Sequence, residues 1–376
     1  MLSDPSFAES VSRSITAVRE LAPDATLQMV ANVRTSPMDA GDYTETSVTT
    51  EHFTSTELSA LMDGFRQSGF FVTFNGGEVE FIRHDLEHRL NTNDVFDVVY
   101  NTAQSGTGIG RKSLVPAYCA LRGIRICNSD AYVMSLVRQK FHVHCILKRV
   151  GLPTACTWYY WPPAGWIGGA PASDHKVIAK AAYESASIGL TPNCVGVAGR
   201  KFEQMLQDKC EVYRQPFVVQ DFIEGYEVEV PLIDVDCMRA VDVVSVQLDG
   251  RVELGDRVLY YDVVEAEAYQ YARSSHLPSE LKTELAEIAE RVAAVLGLRG
   301  IGRVDFRLDR AGRPYITDVA TSPHLVPHGA FALSFSWHGH DYAEMLAAMI
   351  GANLRHWSLA YDSDHTTISE SRNPYL

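Results

Sequence analysis

Cysteine is scarce and unpatterned in this chain. Seven lie scattered over 376 residues (Cys119, Cys127, Cys145, Cys156, Cys194, Cys210 and Cys237), an odd number with no CxxC pair. That argues against a disulfide or zinc framework and predicts free thiols, packed as small apolar residues in a reducing compartment. Apolar runs long enough to span a bilayer are missing. The opening MLSDPSFAES has neither the basic nor the apolar region of a signal peptide, so a cytoplasmic location and no membrane contact are expected. Positive charge is short: 33 Lys and Arg face 47 Asp and Glu, a net charge of −14. Binding nucleic acid or a membrane over the whole surface is therefore not expected, and a phosphate ligand would need a few local basic side chains. There is no GxxxxGK[ST] loop, no repeat of solenoid length and no nucleophile triad.

What remains is an ordinary globular composition, 46% hydrophobic and 21% charged, with enough length for one large or two to three small domains. Thr26–Val33 reads as a buried strand. Thr54–Gly69 reads as a helix, with Thr54 and Glu57 as a capping box and Leu58, Leu61, Met62 and Phe65 as its stripe. Strand FFVTFNGG, strand Val95–Asn101, helix LVPAYCALRG and strand IRICNS complete a parallel α/β pattern up to about Asn128. A helix is expected from Ser129 to about Val150, stopped by Gly151 and Pro153. Trp161–His175 reads as irregular, Lys176–Tyr183 as a strand, and Pro216–Asp234 as two strands around Glu224 and Gly225. SELKTELAEIAERVAAVLG reads as an amphipathic helix closed by Gly297. The last twenty or so residues read as an appendix.

The segment GRVDFRLDRAGRPYITDVATSPH, Gly302–His324, carries the strongest chemistry. Val304, Phe306 and Leu308 alternate with Arg303, Asp305 and Arg307, which predicts one greasy and one charged face. With an even loop near Asp309–Gly312, Asp305 and Asp318 fall on the same face. Two such carboxylates repel unless a proton or cation lies between them, and paired hard oxygens suit Mg²⁺. Arg303 could neutralise an anion beside the metal. Alone, the segment reads first as an ordinary exposed hairpin with its charges in water.

Other signals are individually weak. Lys180 ends an apolar strand and precedes the small-residue run ESASIG, a composition that admits phosphate or simply forms a surface loop. Lys140 lies in a helical pattern where a lone lysine is ordinarily solvated, and His142 and His144 read as helix residues rather than ligands. VVQDFIEGYEVEV can present backbone groups to an adenine edge and a Glu to a ribose, or form a plain hairpin. Gln104–Ser113 is Gly-rich and follows a strand, where open α/β sheets collect ligands. It is a poor dinucleotide motif, and Arg111 or Lys112 is expected to contact a substrate carboxylate.

The order of these motifs, from about Val99 to Val326, resembles the ATP-grasp ligases, and among them the D-alanine–D-alanine ligase family. The resemblance implies an α/β protein: an N-terminal parallel α/β domain (1–128), a small central ATP-grasp lobe (129–215), and a C-terminal lobe (216–376) with an antiparallel sheet, the metal site and the tail. It implies ATP and Mg²⁺ (or Mn²⁺), small carboxylate and amine substrates, an acyl phosphate intermediate and a homodimer. By position, Lys140 and Lys180 resemble the phosphate-contacting lysines, and Glu184 to Gly189, with Ser187, the loop over the phosphates. Gln220, Asp221, Phe222 and Ile223 resemble the adenine hinge and Glu227 the ribose acid. Asp305 and Asp318 resemble the metal carboxylates and Arg303 the oxyanion arginine. The sequence also departs from the family. Asp318 stands for the usual Glu, Ala320 for a metal-binding Asn, and His324, counted among the catalytic positions, for an oxyanion Gly. Glu267 stands near an expected lysine, and ANVRTSPMDAG lacks the expected Glu-His pair. A ligase with altered amino-acid specificity is expected. The alternatives are a nucleotide binder without chemistry and an enzyme that uses acyl-phosphate activation for ring closure or a non-amino-acid acceptor.

Overall fold

The computed structural model describes residues 1–34, 43–88 and 96–365. Most of ANVRTSPMDAG, residue 95 of the third strand, and the end of the C-terminal appendix lie outside these residues.

The N-terminal part is built on a four-stranded parallel sheet. Its elements are α1 (Pro5–Leu21), β1 (Ala25–Val30), α2 (Ser55–Gln67), β2 (Phe71–Asn75), α3 (Glu78–His88), β3 (Phe96–Asn101), α4 (Leu114–Arg122) and β4 (Arg125–Ile126), with strand order β2-β1-β3-β4. The expected capping box of α2 is present in both directions: Glu57 N–H donates to Thr54 Oγ1 at 3.2 Å, and Thr54 N–H donates to Glu57 Oε2 at 2.7 Å. Phe7, Val11, Ile15 and Val18 of α1 pack with Leu27 and Met29 of β1 and Leu61 and Phe65 of α2.

The single helix expected from Ser129 to Val150 is two helices, α5 (Ala131–Arg138) and α6 (Lys140–Arg149). Gln139 breaks them with φ −91° and ψ 87°, and its side chain caps Phe141 N–H at 3.3 Å. The Lys140 N–H bonds instead to Ala182 O at 3.2 Å, so tertiary contact overrides a continuous helical pattern. Gly151 ends α6 at φ +76°, as expected.

A second sheet follows: β5 (Thr157–Trp161), β6 (Gly165–Ile167), β7 (Lys176–Ala181), β8 (Val195–Val197), α7 (Arg200–Tyr213) and β9 (Phe217–Asp221), in the order β6-β5-β9-β7-β8. The third comprises β10 (Gly225–Asp234), β11 (Met238–Ala240), β12 (Val244–Gln247), β13 (Glu253–Gly255), α8 (Tyr261–Glu265), β14 (Gln270–Arg273), α9 (Ser279–Leu296), β15 (Ile301–Leu308) and β16 (Pro314–Ala320). Its strand order is β14-β12-β10-β15-β16, and every pairing is antiparallel. Gly225, the first residue of β10, sits at φ +149°, and a Cβ there would collide with the Leu308 carbonyl. Leu285, Ala289, Val292 and Leu296 of α9 pack under Val228, Val230, Val304 and Phe306. Finally α10 (Ala330–Ser336) and α11 (Tyr342–His365) return to the N-terminal part, where Met345, Leu346 and Met349 join the α1–α2 core. All seven cysteines are free; four are buried, and Cys145, Cys156 and Cys237 are exposed.

Candidate active site

Along β10, β15 and β16 the polar side chains alternate with core residues. Register places Glu227 opposite Arg307, Glu229 opposite Asp305, Asp305 opposite Asp318, and Arg303 opposite Ala320. The two aspartates are therefore direct neighbours, as the hairpin pattern predicts. The register shifts after this pair, since Phe306 meets Ile316, and Thr317 is left over as a bulge. Its carbonyl accepts from Lys180 Nζ at 3.2 Å.

Each aspartate has its own cation. Arg303 donates through two nitrogens to both oxygens of Asp305, at 2.7 Å each, and lies 3.2 Å from Glu229 Oε2. Lys140 Nζ donates to both oxygens of Asp318, at 2.8 and 2.7 Å. Lys140 is thus buried and paired, against the solvated reading of a lone helical lysine; the break at Gln139 sets it at the first position of α6. Burial tends to raise Asp318, but Lys140 and Lys180 outweigh it and hold the carboxyl below the ordinary range. Asp305 goes the other way: burial outweighs Arg303, with Asp318 and Glu227 adding to the rise. Burial pushes Lys180 down to about 8 and Glu229 up to about 8.

This donor set fits a hard divalent cation. Two opposed buried carboxylates, one of them held toward its protonated form, are relieved by positive charge between them. Among the described residues no group of three His, Cys, Asp or Glu is close enough to ligate one ion. The protein would supply two carboxylates, leaving other positions to water or phosphate.

The aspartates line a cavity of about 570 Å³ between the second and third sheets, walled by the Thr50–Glu57 and Asn101–Gln104 segments. Gln220, Asp221, Phe222, Ile223 and Glu227 all line it, as do Lys140, Lys180, Glu184, Ser187, Lys112, Arg303 and His324. Gln220 Nε2 lies 2.9 Å from His144 Nε2, and burial lowers His144 to about 3, so this histidine is a neutral helix residue as expected. Asp221 pairs with His175 at 3.1 Å, and Phe222 is flanked by Lys176 and Arg307. Glu227 pairs with Arg307 at 2.9 Å.

The small-residue loop 184–189 lies over the cavity with Ala186 and Ser187 in left-handed backbone, at φ +51° and +55°. Ser187 Oγ donates to Leu259 O at 2.6 Å. Arg111 does not line the cavity. Its guanidinium is buried against Glu51 and Glu184, which also meet Arg138, while Lys112 reaches Glu51 at 3.3 Å from the cavity side. Glu184 further accepts from Tyr43 at 2.8 Å and Gln215 at 2.9 Å. His324 stacks on Phe53 and meets Glu57 at 3.1 Å.

Sequence reasoning did not single out Glu51, Glu57, Arg138, Glu229 or Arg307 as site residues. Glu229 and Arg307 carried the same period-two signal as their neighbours. Glu57 was visible only as a cap, and nothing local marked Glu51 or Arg138.

Residues 172–351 match the family described as the D-ala D-ala ligase C-terminus. A D-alanine–D-alanine ligase of Bordetella pertussis is 27% identical over 238 residues, 61% of this chain and 70% of that protein. The chain is thus similar to D-alanine–D-alanine ligases in sequence, over its C-terminal part above all, and in fold. An uncharacterized protein of Sinorhizobium fredii is 24% identical over 266 residues, 69% of this chain and 75% of that one. The solved D-alanine–D-alanine ligase of Bacillus anthracis, complexed with ATP, matches with TM-score 0.64 at 15% identity, covering 89% of this chain and 99% of that one. The ATP-grasp fold, with its parallel and antiparallel sheets, is as the sequence implied. No helix among the described residues is long and apolar enough to cross a membrane.

Proposed function

We propose that this ATP-grasp protein is a carboxylate–amine ligase that uses ATP and a divalent cation, Mg²⁺ or Mn²⁺, and forms an amide through an acyl phosphate. The observation that carries this reading is the register of Asp305 on Asp318, with Lys140, Lys180 and Arg303 around them in one cavity that reaches the β9–β10 hinge.

Gln220 to Ile223 would take the adenine and Glu227 the ribose, once Arg307 shares it. Lys140 and Lys180 supply positive charge for the phosphates, and loop 184–189, with Ser187, covers them and excludes water. A divalent ion, held by Asp305 and Asp318, would neutralise charge on the transferred phosphoryl group. Arg303, once a cation released it from Asp305, would stabilise the oxyanion formed when the amine attacks. Lys112 is the cavity-facing cation at the substrate end, with Arg111 behind it as a support through Glu51 and Glu184. The substrates are small acids and amines, and the changed residues at 267, 320 and 324 support a specificity other than D-alanine. Ala320 favours one second reading, nucleotide binding without turnover, because it offers no ligand atom to a metal.

The test is nucleotide release from purified protein with ATP and Mg²⁺ against a pool of D- and L-amino acids and small carboxylates. The expected result is ADP together with a product whose mass equals two pool members less water. AMP release, or hydrolysis with no joined product, would overturn the ligase reading.

A further inference from the structure

We propose that Glu57 and His324 form a proton-accepting dyad for the amine acceptor, a proposal that rests on the ligase reading above. The order of groups along the strands locates it. Glu227 and Arg307 stand nearest the hinge, then Glu229, Asp305 and Asp318, then Arg303 and Ala320. From Arg307 to Arg303 is about 13 Å of strand. His324 follows four residues beyond Ala320, past the end of β16 at which Ala320 stands opposite Arg303. An acceptor that attacks an activated carboxylate must approach from beyond the phosphates, and His324 lines the same cavity as the carboxylates, together with Phe53, Glu57 and Ser322.

The pair is held on both sides. Glu57 uses Oε2 to cap Thr54 N–H, which fixes the carboxylate on the first turn of α2 and leaves Oε1 for His324 Nε2 at 3.1 Å. The imidazole stacks on Phe53 with ring centres 4.4 Å apart and planes tilted by 20°. Burial tends to raise Glu57, but the hydrogen bond from His324 and the Thr54 cap bring it down to about 2, so it is a carboxylate at neutral pH. A carboxylate facing Nε2 selects the tautomer with the proton there and leaves the lone pair on Nδ1. That is the arrangement of a base oriented by a third group.

An amine acceptor arrives as an ammonium and cannot attack until it loses a proton. That proton goes to Nδ1 of His324, while Nε2–H stays on Glu57. The amine lone pair then forms the C–N bond to the acyl carbon, and the C–O bond to phosphate breaks with its electron pair on phosphate. The second nitrogen proton leaves with the phosphate. His324 would be the catalytic residue and Glu57 a positioning residue.

Hydroxylamine separates this role from a structural one, because it is largely unprotonated at neutral pH and needs no base. Wild type, His324→Gln and Glu57→Gln are given ATP, Mg²⁺ and the acid and amino-acid pool, with and without hydroxylamine. Gln at 57 can still cap Thr54, so that variant keeps the helix start. The dyad predicts that amide formation falls about 100-fold in His324→Gln and about 10-fold in Glu57→Gln, within the range for a lost general base. Hydroxamate formation persists in both. Parallel loss of amide and hydroxamate, or retention of both, overturns the dyad alone. Absence of both ADP and hydroxamate from wild type overturns the ligase reading, and the dyad with it.

Discussion

Arg303 holds Asp305 and Lys140 holds Asp318, so each acid enters the site with a positive partner in place. Both partners are long side chains, and on the ligase reading they would turn to a phosphate or an oxyanion once a cation took over the carboxylates. Asp305→Asn keeps the shape and removes one anionic donor. The expected loss is about 100-fold or more in kcat, the scale of several kcal/mol of metal-assisted stabilisation, with an unchanged circular dichroism spectrum. Turnover close to wild type would contradict the metal assignment. Lys180 gives a pH prediction. Burial lowers its pKa from 10.5 to about 8. A lysine depressed in this way favours the fold above its ordinary range, and that contribution is lost as pH falls through about 8. The protonated lysine is therefore held at a cost, which a bound polyphosphate offsets. ATP should accordingly bind more weakly above about pH 8, by up to tenfold per pH unit, and Lys180→Arg should remove that limb. Isothermal titration across pH checks it. The charged face of the hairpin was readable because strand period is strict. The burial of Lys140 was not, because it depends on Asp318, 178 residues away.

Elements convert these pairs into a site. The Thr317 bulge turns a carbonyl toward Lys180, and the Gln139 break sets Lys140 against Asp318. Loop 184–189 is tied to the N-terminal part by Glu51, which meets Arg111 and Arg138 and accepts from Ser185 N–H at 3.2 Å. Burial tends to raise Glu51, but these cations outweigh it and hold the carboxyl well below the ordinary range. Such a depressed acid stabilises the fold above the ordinary glutamate range and loses that contribution as pH falls from that range toward its depressed value. Glu51→Gln should cost about 3 kcal/mol at neutral pH, as broken buried pairs do, and the deficit should shrink below about pH 4. Urea unfolding at both pH values measures this; an equal deficit at each would contradict the charge argument. Helix α2 was readable down to its capping box. Helices α1 and α3 were not among the expected elements, although α1 carries an Asp4 cap and a clear apolar stripe. The continuous helix across Gln139 failed because local pattern carries no trace of the Ala182 carbonyl that replaces the helical bond.

At the scale of the whole molecule, a parallel sheet and two antiparallel sheets surround one cavity, and its wall draws on segments from all three. The alternation of strands and helices made the first sheet legible, and the motif order made the ATP-grasp arrangement legible. The buried charge cluster and the Glu57–His324 contact were not legible, since each joins segments far apart in sequence whose local patterns are those of plain turns and caps. The central claim is activation of a carboxylate by ATP as an acyl phosphate. Its most direct test is to label the pooled acids with oxygen-18 in their carboxyl groups and run the reaction with ATP and Mg²⁺. The account predicts ADP and inorganic phosphate that carries oxygen-18 from the acid. Label in AMP, or ADP with unlabelled phosphate, would contradict it.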